Sequence, residues 1–475
     1  MADNSTQVAV IGAGPGGYTA AFMAADMGLT VTLIDPAENP GGVCLYRGCI
    51  PSKALLHISR LIHEAADAEA WGVSFGKPRI DIDRMRQWKS DVVTGLTGGL
   101  GRLVTQRKIA YIRASAVFSD DRTLSLMDVD GKTSTLGFEH AILATGSRAT
   151  GIPMFPMDSD RIWNSKKALD LETVPATLLV VGGGYIGLEL GSVYAALGSE
   201  VTVVEMLPHL LAGADRDLVR FLSKTLTERF KAILLNTTVS AAKVQKNGVK
   251  ITFQSQDEKP RSQLFQRVLV AVGRRPNSIG LALEKVGVSL DENGFIQTDN
   301  RCRTTAAKVF AIGDVSGQPM LAHKAAYEAR IAVENIAGKD VIADPAAIPA
   351  VVFTDPEIAW AGLTEGAAKE KRMAVAVTRF PWAASGRAVT LGRSDGLTKL
   401  IIDPETGRLL GAGIVGPGAG ELIAEATLAL EMGANATDVG LTIHPHPTLS
   451  ETVKEAADIF YGTATHYYRP KRTPK

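Results

Sequence analysis

Apolar and polar positions along the first half of the chain follow a pattern that occurs twice. In each copy a short run of branched apolar residues, Gln7–Ile11 and then Thr177–Val181, is typical of a buried parallel strand. A glycine-rich turn follows each run at once, then a helix-like pattern, then a second strand that ends in an acidic residue. This order predicts two dinucleotide-binding units of the doubly wound α/β type.

In the first unit the turn is residues 12–17 (GAGPGG), followed by a predicted helix over Tyr18–Met27 and a strand over Thr30–Ile34. The first glycine of such a turn makes the bend, the second admits a pyrophosphate, and the third lets helix and strand pack closely. Amides at the helix start then face the phosphates, and the acid accepts a ribose hydroxyl. The expected contacts are Gly12, Gly14, Pro15, Gly17 and Asp35.

The second unit repeats this arrangement with a turn at residues 182–187 (GGGYIG), a helix over Leu188–Leu197 and a strand over Val201–Val204. Its acid follows the first glycine of the turn by 23 residues, the same separation as in the first unit. Two units imply two dinucleotides; the alternative is that one copy is a relic without a ligand. The expected contacts are Gly182, Gly184, Tyr185, Ile186, Gly187 and Glu205.

Glu205 also bears on which nicotinamide nucleotide binds. A carboxylate here can accept hydrogen bonds from the ribose hydroxyls of NAD, whereas the 2′-phosphate of NADP would bring like charge against it. An NADP site would instead need an arginine for the phosphate, and none of residues 206–210 is Arg or Lys. The sequence therefore predicts NAD, the alternative being that Glu205 merely ends a strand in water.

The rest of the chain changes its pattern several times. A mostly helical stretch runs from Ala54 to about Thr105, and β-rich sequence follows it. Further strands are predicted over Val268–Val272 and Lys308–Ile312, and from Ala347 strands alternate with two helices. These changes, with the turn signal at residues 151–153, predict four domains: 1–150, 151–277, 278–346 and 347–475.

Composition narrows the classes of function. The 475 residues carry a net charge of +1 with acids and bases evenly mixed, so neither a nucleic-acid nor a membrane-surface partner is expected. Leu178–Gly198 is apolar enough to imitate a membrane span, but Glu189 and six glycines favour strand, turn and helix. Residues 1–5 show no signal-peptide pattern, and three cysteines do not make a secreted disulfide scaffold. We expect a cytoplasmic protein without a metal site.

Residues 41–53 (GGVCLYRGCIPSK) hold two of the three cysteines, Cys44 and Cys49. In a regular α-helix residues at this spacing are offset by roughly 7.5 Å along the axis, whereas a disulfide requires Cα atoms within about 4.4–6.8 Å. A bond between them would therefore require a bend, which Gly48 could supply. Spacing alone leaves open a pair of unrelated buried thiols.

The full string is more specific than the spacing, because it resembles the redox-active disulfide motif of the flavin-dependent pyridine nucleotide–disulfide oxidoreductases. That resemblance implies a Cys44–Cys49 redox disulfide, with Lys53 near the flavin and Glu189 of the second unit as its partner. Val43, Tyr46 and Arg47 depart from the usual Thr, Asn and small apolar residue of the motif. These departures leave the chemistry intact and bear on substrate preference.

Other motifs of the same family follow in order. They are A-T-G at 144–146, V-G-R-x-P-N at 272–277, A-x-G-D at 311–314 and P-M-L-A-H-K-A at 319–325. The resemblance implies an α/β fold of the glutathione reductase type, with two Rossmann-like dinucleotide-binding domains and a C-terminal α+β dimerisation domain. It places at the flavin Gly42, Val43, Cys44, Lys53, Ala116, Thr145, Gly146, Ser147, Asp314, Met320, Leu321, Ala322 and His323, and near the nicotinamide nucleotide Gly273 and Glu189.

Near the end of the chain, residues 444–451 (HPHPTLSE) and the P-M-L-A-H-K-A string resemble the dihydrolipoamide dehydrogenases of that family. This implies oxidation of dihydrolipoamide to lipoamide with FAD, one tightly bound per subunit, and NAD. In the family the second histidine, His446, is the acid–base, Glu451 orients it, and the pair serves the other subunit of a homodimer. The implied partner is the lipoyl domain of a 2-oxoacid dehydrogenase or glycine cleavage system, or free dihydrolipoamide.

Several alternatives stay open. A glutathione-reductase-like or mercuric-reductase-like enzyme is the nearest rival, although no cysteine follows Cys302 to form the C-terminal pair usual in mercuric reductases. A non-catalytic flavoprotein conflicts with the joint presence of both cysteines and the His–Glu pair. Cys302 itself is read as an inert core thiol. Tyr185 is either a lid over the nicotinamide face of the flavin or a packed corner residue.

Overall fold

The computed structural model describes residues 5–255 and 259–468. The expectation that the chain has no signal peptide concerns residues 1–5, and four of these, residues 1–4, lie outside the described residues. The helices are α1 Pro15–Asp26, α2 Gly42–Arg47, α3 Cys49–Asp67, α4 Ile82–Gln106, α5 Ser165–Asp170, α6 Tyr185–Ala196, α7 Arg216–Arg229, α8 Ala322–Ile336, α9 Glu365–Glu370, α10 Gly386–Thr390, α11 Ala419–Glu431, α12 Ala436–Leu441 and α13 Glu451–Tyr461.

The strands form three large sheets and two small ones. In chain order they are β1 Ser5–Ile11, β2 Val31–Ile34, β3 Ala110–Ile112, β4 Ala114–Asp120, β5 Thr123–Asp128, β6 Thr133–Leu143, β7 Ser147–Ala149, β8 Ile162–Trp163, β9 Thr177–Val181, β10 Glu200–Val204, β11 Ala232–Leu234, β12 Thr237–Gln245, β13 Gly248–Ser255, β14 Arg261–Phe265, β15 Arg267–Val270, β16 Arg274–Pro276, β17 Val309–Ala311, β18 Ala350–Val352, β19 Ile358–Gly362, β20 Ala376–Pro381, β21 Leu397–Ile402 and β22 Leu409–Val415.

The first sheet contains the first dinucleotide unit. Its strand order is β3-β2-β1-β6-β5-β4. Strand β17 also pairs with β6, at residues 141–143. Strands β1, β2, β3, β6 and β17 run parallel, and buried apolar side chains cover both faces. Helix α1 begins at Pro15, three residues before the predicted start, because the ring of proline suits the first turn of a helix.

The second sheet, in the order β11-β10-β9-β15-β8, is parallel and contains the second unit. Its first strand has the predicted bounds, and α6 begins at Tyr185, within the predicted turn and three residues before the predicted start of the helix. A three-stranded antiparallel sheet, β12-β13-β14, is inserted before the return strand β15. Two parallel units in one chain confirm the predicted fold class.

The helical stretch between the units is the pair α3 and α4, as the pattern indicated. Beyond the second unit, β17 joins the first sheet, and α8 packs against α1. The segment 278–346 therefore completes the sheet of the first unit. The four domain boundaries stay a prediction.

The last part of the chain is an antiparallel sheet in the order β18-β19-β22-β21-β20. The sequence predicted two helices here, whereas the structure has two long helices, α11 and α13, and three short ones, α9, α10 and α12. The short helices span only five or six residues, too few for an apolar period to be recognised. In the described part of the chain, no helix is long and apolar enough to cross a membrane.

Candidate active site

A cavity of about 780 Å³ lies at the carboxyl ends of the first sheet, where open α/β folds bind ligands. Most of the predicted flavin contacts line it, although they come from distant parts of the sequence. Those that line it are Gly12, Gly14, Pro15, Asp35, Gly42, Val43, Cys44, Lys53, Ala116, Thr145, Gly146, Ser147, Asp314, Met320 and Ala322.

Two glycines in the turn of the first unit cannot be replaced by larger residues. Gly12 has a φ of +99°, and a Cβ there would lie 2.4 Å from the carbonyl oxygen of Ala144. A Cβ on Gly17 would lie 1.8 Å from the carbonyl oxygen of Gly12. Gly17 thus allows helix and strand to pack closely, as predicted, and does not itself line the cavity.

The two acids on this side of the cavity are held by hydrogen bonds. The amide of Ala13 donates to Asp35 Oδ2 at 2.8 Å, which ties the acid to the glycine turn. Ser147 Oγ donates a short hydrogen bond to Asp314 Oδ2. Arg274 in turn donates to Ser147 Oγ at 2.7 Å through Nε and to its carbonyl oxygen at 2.8 Å through Nη2.

Arg274 was not among the predicted contacts, although it lines the cavity and lies in the V-G-R-x-P-N motif. Its position in that motif was the available signal. Two predicted contacts are placed elsewhere: Leu321 and His323 do not line the cavity. The ring of His323 is exposed and forms a hydrogen bond with the carbonyl oxygen of Pro349 at 2.7 Å.

The cysteine pair lies at a break between two helices. Cys44 is in α2, Cys49 begins α3, and Gly48 between them has non-helical torsions of φ −144° and ψ −113°. A Cβ at Gly48 would lie 2.8 Å from the carbonyl oxygen of Val43, so glycine is needed for this close approach. The expected bend is therefore present, and both cysteines line the cavity as free thiols.

The two thiols are close enough to form a hydrogen bond, and they differ in acidity. The hydrogen bond from Cys44 and, to a smaller extent, the charge of Lys53 lower the pKa of the Cys49 thiol to about 7, although burial opposes them. The same hydrogen bond, together with burial, raises the pKa of Cys44. Cys49 is therefore the thiol of this pair that more readily exists as a thiolate.

Lys53 and Glu189 form the predicted pair. Lys53 Nζ lies 2.8 Å from Glu189 Oε2, joining α3 to the second dinucleotide unit over 136 positions of sequence. Glu189 is only 2% exposed. A buried carboxylate requires such a partner, and both residues line the cavity.

The positions that depart from the family motif also line the cavity: Val43, Tyr46 and Arg47. The hydroxyl of Tyr46 donates to the carbonyl oxygen of Asn39 at 2.9 Å. Arg47 is exposed. The departures therefore alter the surface of the redox cavity itself.

The turn of the second unit reproduces that of the first. Gly182 has a φ of +107°, and a Cβ there would lie 2.5 Å from the carbonyl oxygen of Ala271. The amide of Gly183 donates to Glu205 Oε2 at 2.7 Å. The predicted contacts that lie outside the cavity are Gly182, Gly184, Gly187, Glu205 and Gly273, whereas Tyr185, Ile186 and Glu189 line it.

The two histidines near the C-terminus have different partners. His446 Nδ1 lies 2.9 Å from Glu451 Oε1, and its side chain is 73% exposed. Glu451 Oε2 accepts from the amide of Thr448 at 2.8 Å; although partial burial opposes it, this hydrogen bond and His446 lower the pKa of Glu451. His444 is 4% exposed and pairs with Glu425 at 2.6 Å.

The structure thus unites the cysteines with the proposed cofactor contacts, while His446 and Glu451 do not line that cavity. An exposed histidine with one ring nitrogen held by a carboxylate has its other nitrogen available for proton transfer. Within a single chain, the pair of His446 and Glu451 and the two thiols are separate features.

Comparison with known proteins defines the class. The pyridine nucleotide-disulphide oxidoreductase family model matches residues 6–329, and the dimerisation domain of that family matches residues 348–457. The chain belongs to the pyridine nucleotide-disulphide oxidoreductases. Membership implies that it binds FAD and NAD(H), and the dimerisation domain indicates a homodimer.

The most informative relatives carry one name. The chain is 45% identical over 469 residues to the dihydrolipoyl dehydrogenase of Vibrio cholerae, covering 99% of this chain and 98% of the relative. It is 46% identical over 470 residues to that of Haemophilus influenzae, with the same coverage. Among solved structures, LpdA of Mycobacterium tuberculosis matches with a TM-score of 0.88 at 28% identity, covering 96% of this chain and 99% of that one.

A second solved structure is a flavoprotein disulfide reductase induced by HOCl, RclA of Escherichia coli. It matches with a TM-score of 0.84 at 27% identity, covering 95% of this chain and 99% of that one. The fold is therefore shared with a disulfide reductase of another name, whereas the high full-length identity is to dihydrolipoyl dehydrogenases.

Proposed function

We propose that this chain oxidises dihydrolipoamide to lipoamide and passes the electrons to NAD. The observation that carries the proposal is the pair Cys44 and Cys49, two thiols of different acidity in the wall of a dinucleotide cavity. Full-length relatives at 45% identity that are named dihydrolipoyl dehydrogenase support the choice of substrate.

The residues of the cavity fit FAD. The cavity has a volume of about 780 Å³, which lies in the range of cofactor sites. Gly42 has a φ of +57°, and a Cβ there would lie 2.5 Å from the Cα of Gly14. The two glycine segments can therefore pack against each other because neither has a side chain, and this is where a pyrophosphate would approach the backbone. Asp35 would hold a ribose and Asp314 the ribityl chain. FAD supplies the two-electron relay between a dithiol and NAD.

The cysteines would carry out the exchange with substrate. A substrate thiolate attacks Sγ of Cys44 in the Cys44–Cys49 disulfide, a mixed disulfide forms, and Cys49 leaves as a thiolate. The second substrate thiol then closes the lipoyl disulfide and releases Cys44. One disulfide is made and one is reduced, so the electron pair now resides on the two cysteines. The lowered pKa of Cys49 suits it to be the leaving group.

His446 would take the proton from the substrate thiol, because Glu451 holds its Nδ1 and leaves Nε2 for the transfer. Since this pair does not line the cavity of its own chain, we infer that it serves the cysteines of the partner subunit. Apolar side chains that stay exposed in the single chain support an interface on this side: Leu428, Met432, Leu441 and Ile443.

The identity of the lipoyl partner stays a proposal, as does a cytoplasmic location. The dithiol that donates the electrons is carried by a lipoyl domain of a 2-oxoacid dehydrogenase or glycine cleavage system, or is free dihydrolipoamide. One FAD per subunit, tightly bound, is proposed with it.

The decisive experiment compares two reactions of the purified holoenzyme. We expect rapid reduction of NAD by dihydrolipoamide and little NADPH-driven reduction of glutathione disulfide. The reverse ranking would replace the proposal with a glutathione-reductase-like activity.

Cys44→Ser should abolish the dithiol reaction while Cys49, still a thiolate, gives a long-wavelength flavin absorbance. Full lipoamide activity in Cys44→Ser would refute the assignment of the redox pair.

The two histidines provide a matched pair of variants. Removing a general base typically lowers a rate by 10²–10⁴-fold, so His446→Gln should fall by about that factor. His444→Gln removes a part-buried pair with Glu425 and should affect turnover much less. Equal losses in kcat would show that the acid–base was assigned to the wrong ring, and an active monomer at low concentration would contradict the shared site.

A further inference from the structure

We propose that Phe353, a residue of the part of the chain matched by the dimerisation domain, is a positioning residue that holds Lys53 beside the redox pair. The inference rests on the proposed function, because it assigns Phe353 a part in the dithiol chemistry of Cys49. No motif in the sequence pointed to this residue.

Three segments converge at this point. The backbone amide of Phe353 donates to Glu189 Oε1 at 2.9 Å, and Lys53 Nζ donates to Glu189 Oε2 at 2.8 Å. Lys53 Nζ also lies 4.5 Å from the centroid of the Phe353 ring. Each oxygen of the buried carboxylate therefore has its own donor, and the ammonium group contacts both the carboxylate and an aromatic ring.

The backbone on both sides of Phe353 is well fixed. Val352, the last residue of β18, and Thr354 are each 2% exposed. Thr354 Oγ1 donates to the carbonyl oxygen of Pro356 at 2.9 Å. The ring of Phe353 is thus presented from a rigid segment, although the residue itself is 36% exposed.

A lysine side chain is long and loses much freedom when it is fixed. With the Glu189 carboxylate as its only contact, the ammonium group of Lys53 could still change its position about that contact. A second contact, with an aromatic face, attracts the cation and limits that motion. The ring and the carboxylate together therefore hold the charge of Lys53 in one place.

That place matters because Lys53 favours the thiolate of Cys49. The titratable groups that act on Cys49 come from four helices: Tyr18 of α1, Cys44 of α2, Lys53 of α3, and Glu189 and Tyr185 of α6. The Phe353 ring is in contact with the cation of this set. Replacing the ring while keeping the backbone amide therefore tests its effect through Lys53.

The test measures the acidity of Cys49 directly. In reduced holoenzyme carrying Cys44→Ser, the rate of alkylation of Cys49 by iodoacetamide is followed against pH, with the site identified by peptide mass spectrometry. Phe353→Leu should raise the apparent pKa of Cys49 by about half a unit, which is about a threefold smaller thiolate fraction below that pKa. Phe353→Tyr keeps an aromatic face and should leave the titration unchanged.

Two controls separate positioning from a general loss of structure. Phe75→Leu changes a phenylalanine that is 64% exposed and should not move the titration. In a Lys53→Met background the effect of Phe353→Leu should vanish, because the cation through which the ring acts is gone. Flavin content and Tm are recorded for every variant.

An unchanged titration in Phe353→Leu would overturn the inference, and so would equal shifts in Phe353→Leu and Phe353→Tyr or a shift that persists without Lys53. The proposed function is tested separately by NAD reduction in the wild-type enzyme. Loss of that activity would refute the function, while the Cys49 titration would still decide the role of the Phe353 ring.

Discussion

The two dinucleotide turns of this chain are almost the same at the level of local structure. In each, the first glycine has a positive φ and lies so close to a neighbouring strand that a Cβ would collide with a carbonyl oxygen. In each, the acid at the end of the second strand accepts a hydrogen bond from the second residue of the turn, at 2.8 Å for Asp35 and 2.7 Å for Glu205. The same motif therefore forms the same cradle.

The two turns differ in what packs against them. At the fifth position of the first turn, a Cβ on Gly16 would lie 3.1 Å from Cβ of Ala325 in α8, so the later segment covers the turn. The second turn is more open at its third residue: no described atom lies within 4 Å of a Cβ built on Gly184, whereas the Cα of Gly42 lies 3.9 Å from one built on the equivalent Gly14. Tyr185, which follows Gly184, is 40% exposed. A covered cradle suits a retained cofactor, and an open one suits a nucleotide that must leave after each turnover.

The largest expected effect comes from substituting the first glycine of each turn. Gly12→Ala would force a positive φ and a contact of 2.4 Å with Ala144, so the purified protein should lack flavin. Gly182→Ala would cause the same collision in the second unit but should keep its flavin and lose NAD-dependent turnover. Visible absorbance per chain, measured after gel filtration, separates the two outcomes.

Gly95→Ala is the matched control for these variants. Gly95 lies within helix α4 and a Cβ there meets no described atom within 4 Å, so alanine should stabilise the helix by up to about 1 kcal/mol and leave the flavin in place. If Gly12→Ala and Gly182→Ala retained flavin equally, the distinction between a covered and an open unit would be wrong.

A smaller effect is expected for nucleotide choice. Two unit charges about 4 Å apart repel by roughly 4 kcal/mol at an effective dielectric of 20, and a heavily screened part of this still gives about a hundredfold preference for NAD. Glu205→Gln removes the charge and should reduce that preference by about tenfold. The measurement is kcat/KM for both nucleotides with dihydrolipoamide. Equal values in the wild type would contradict the role assigned to Glu205.

The smallest effect is expected at Tyr185, which lines the flavin cavity. Partial burial raises the pKa of its hydroxyl to about 12. If its ring covers the nicotinamide face, Tyr185→Ala should lower the KM for NAD by about two- to fivefold, which is under about 1 kcal/mol. Tyr185→Phe keeps the ring and should behave as the wild type. A nucleotide-free crystal structure with the ring turned away from the flavin would dismiss the lid.

The sequence by itself determined the two dinucleotide units, because everything that defines them is local. A strand, a crowded glycine turn, a helix and an acid lie within 29 residues in each unit, and each of them is recognisable from composition or from the period of apolar residues. The bend at Gly48 followed from the geometry of Cys44 and Cys49 in the same way. The pairing of Lys53 with Glu189, far apart in sequence, was predicted only by resemblance to a family.

The tertiary structure decided what no local pattern records. In the structure Arg274 donates a hydrogen bond to Ser147, which itself binds Asp314. His323 forms a hydrogen bond with the carbonyl oxygen of Pro349, and the ring of Phe353 contacts the ammonium group of Lys53. These contacts depend on how distant parts of the chain pack together, and such packing leaves no periodic pattern in the sequence. For the same reason only the structure shows that α8 covers one cradle and leaves the other open, since the two turns are locally alike.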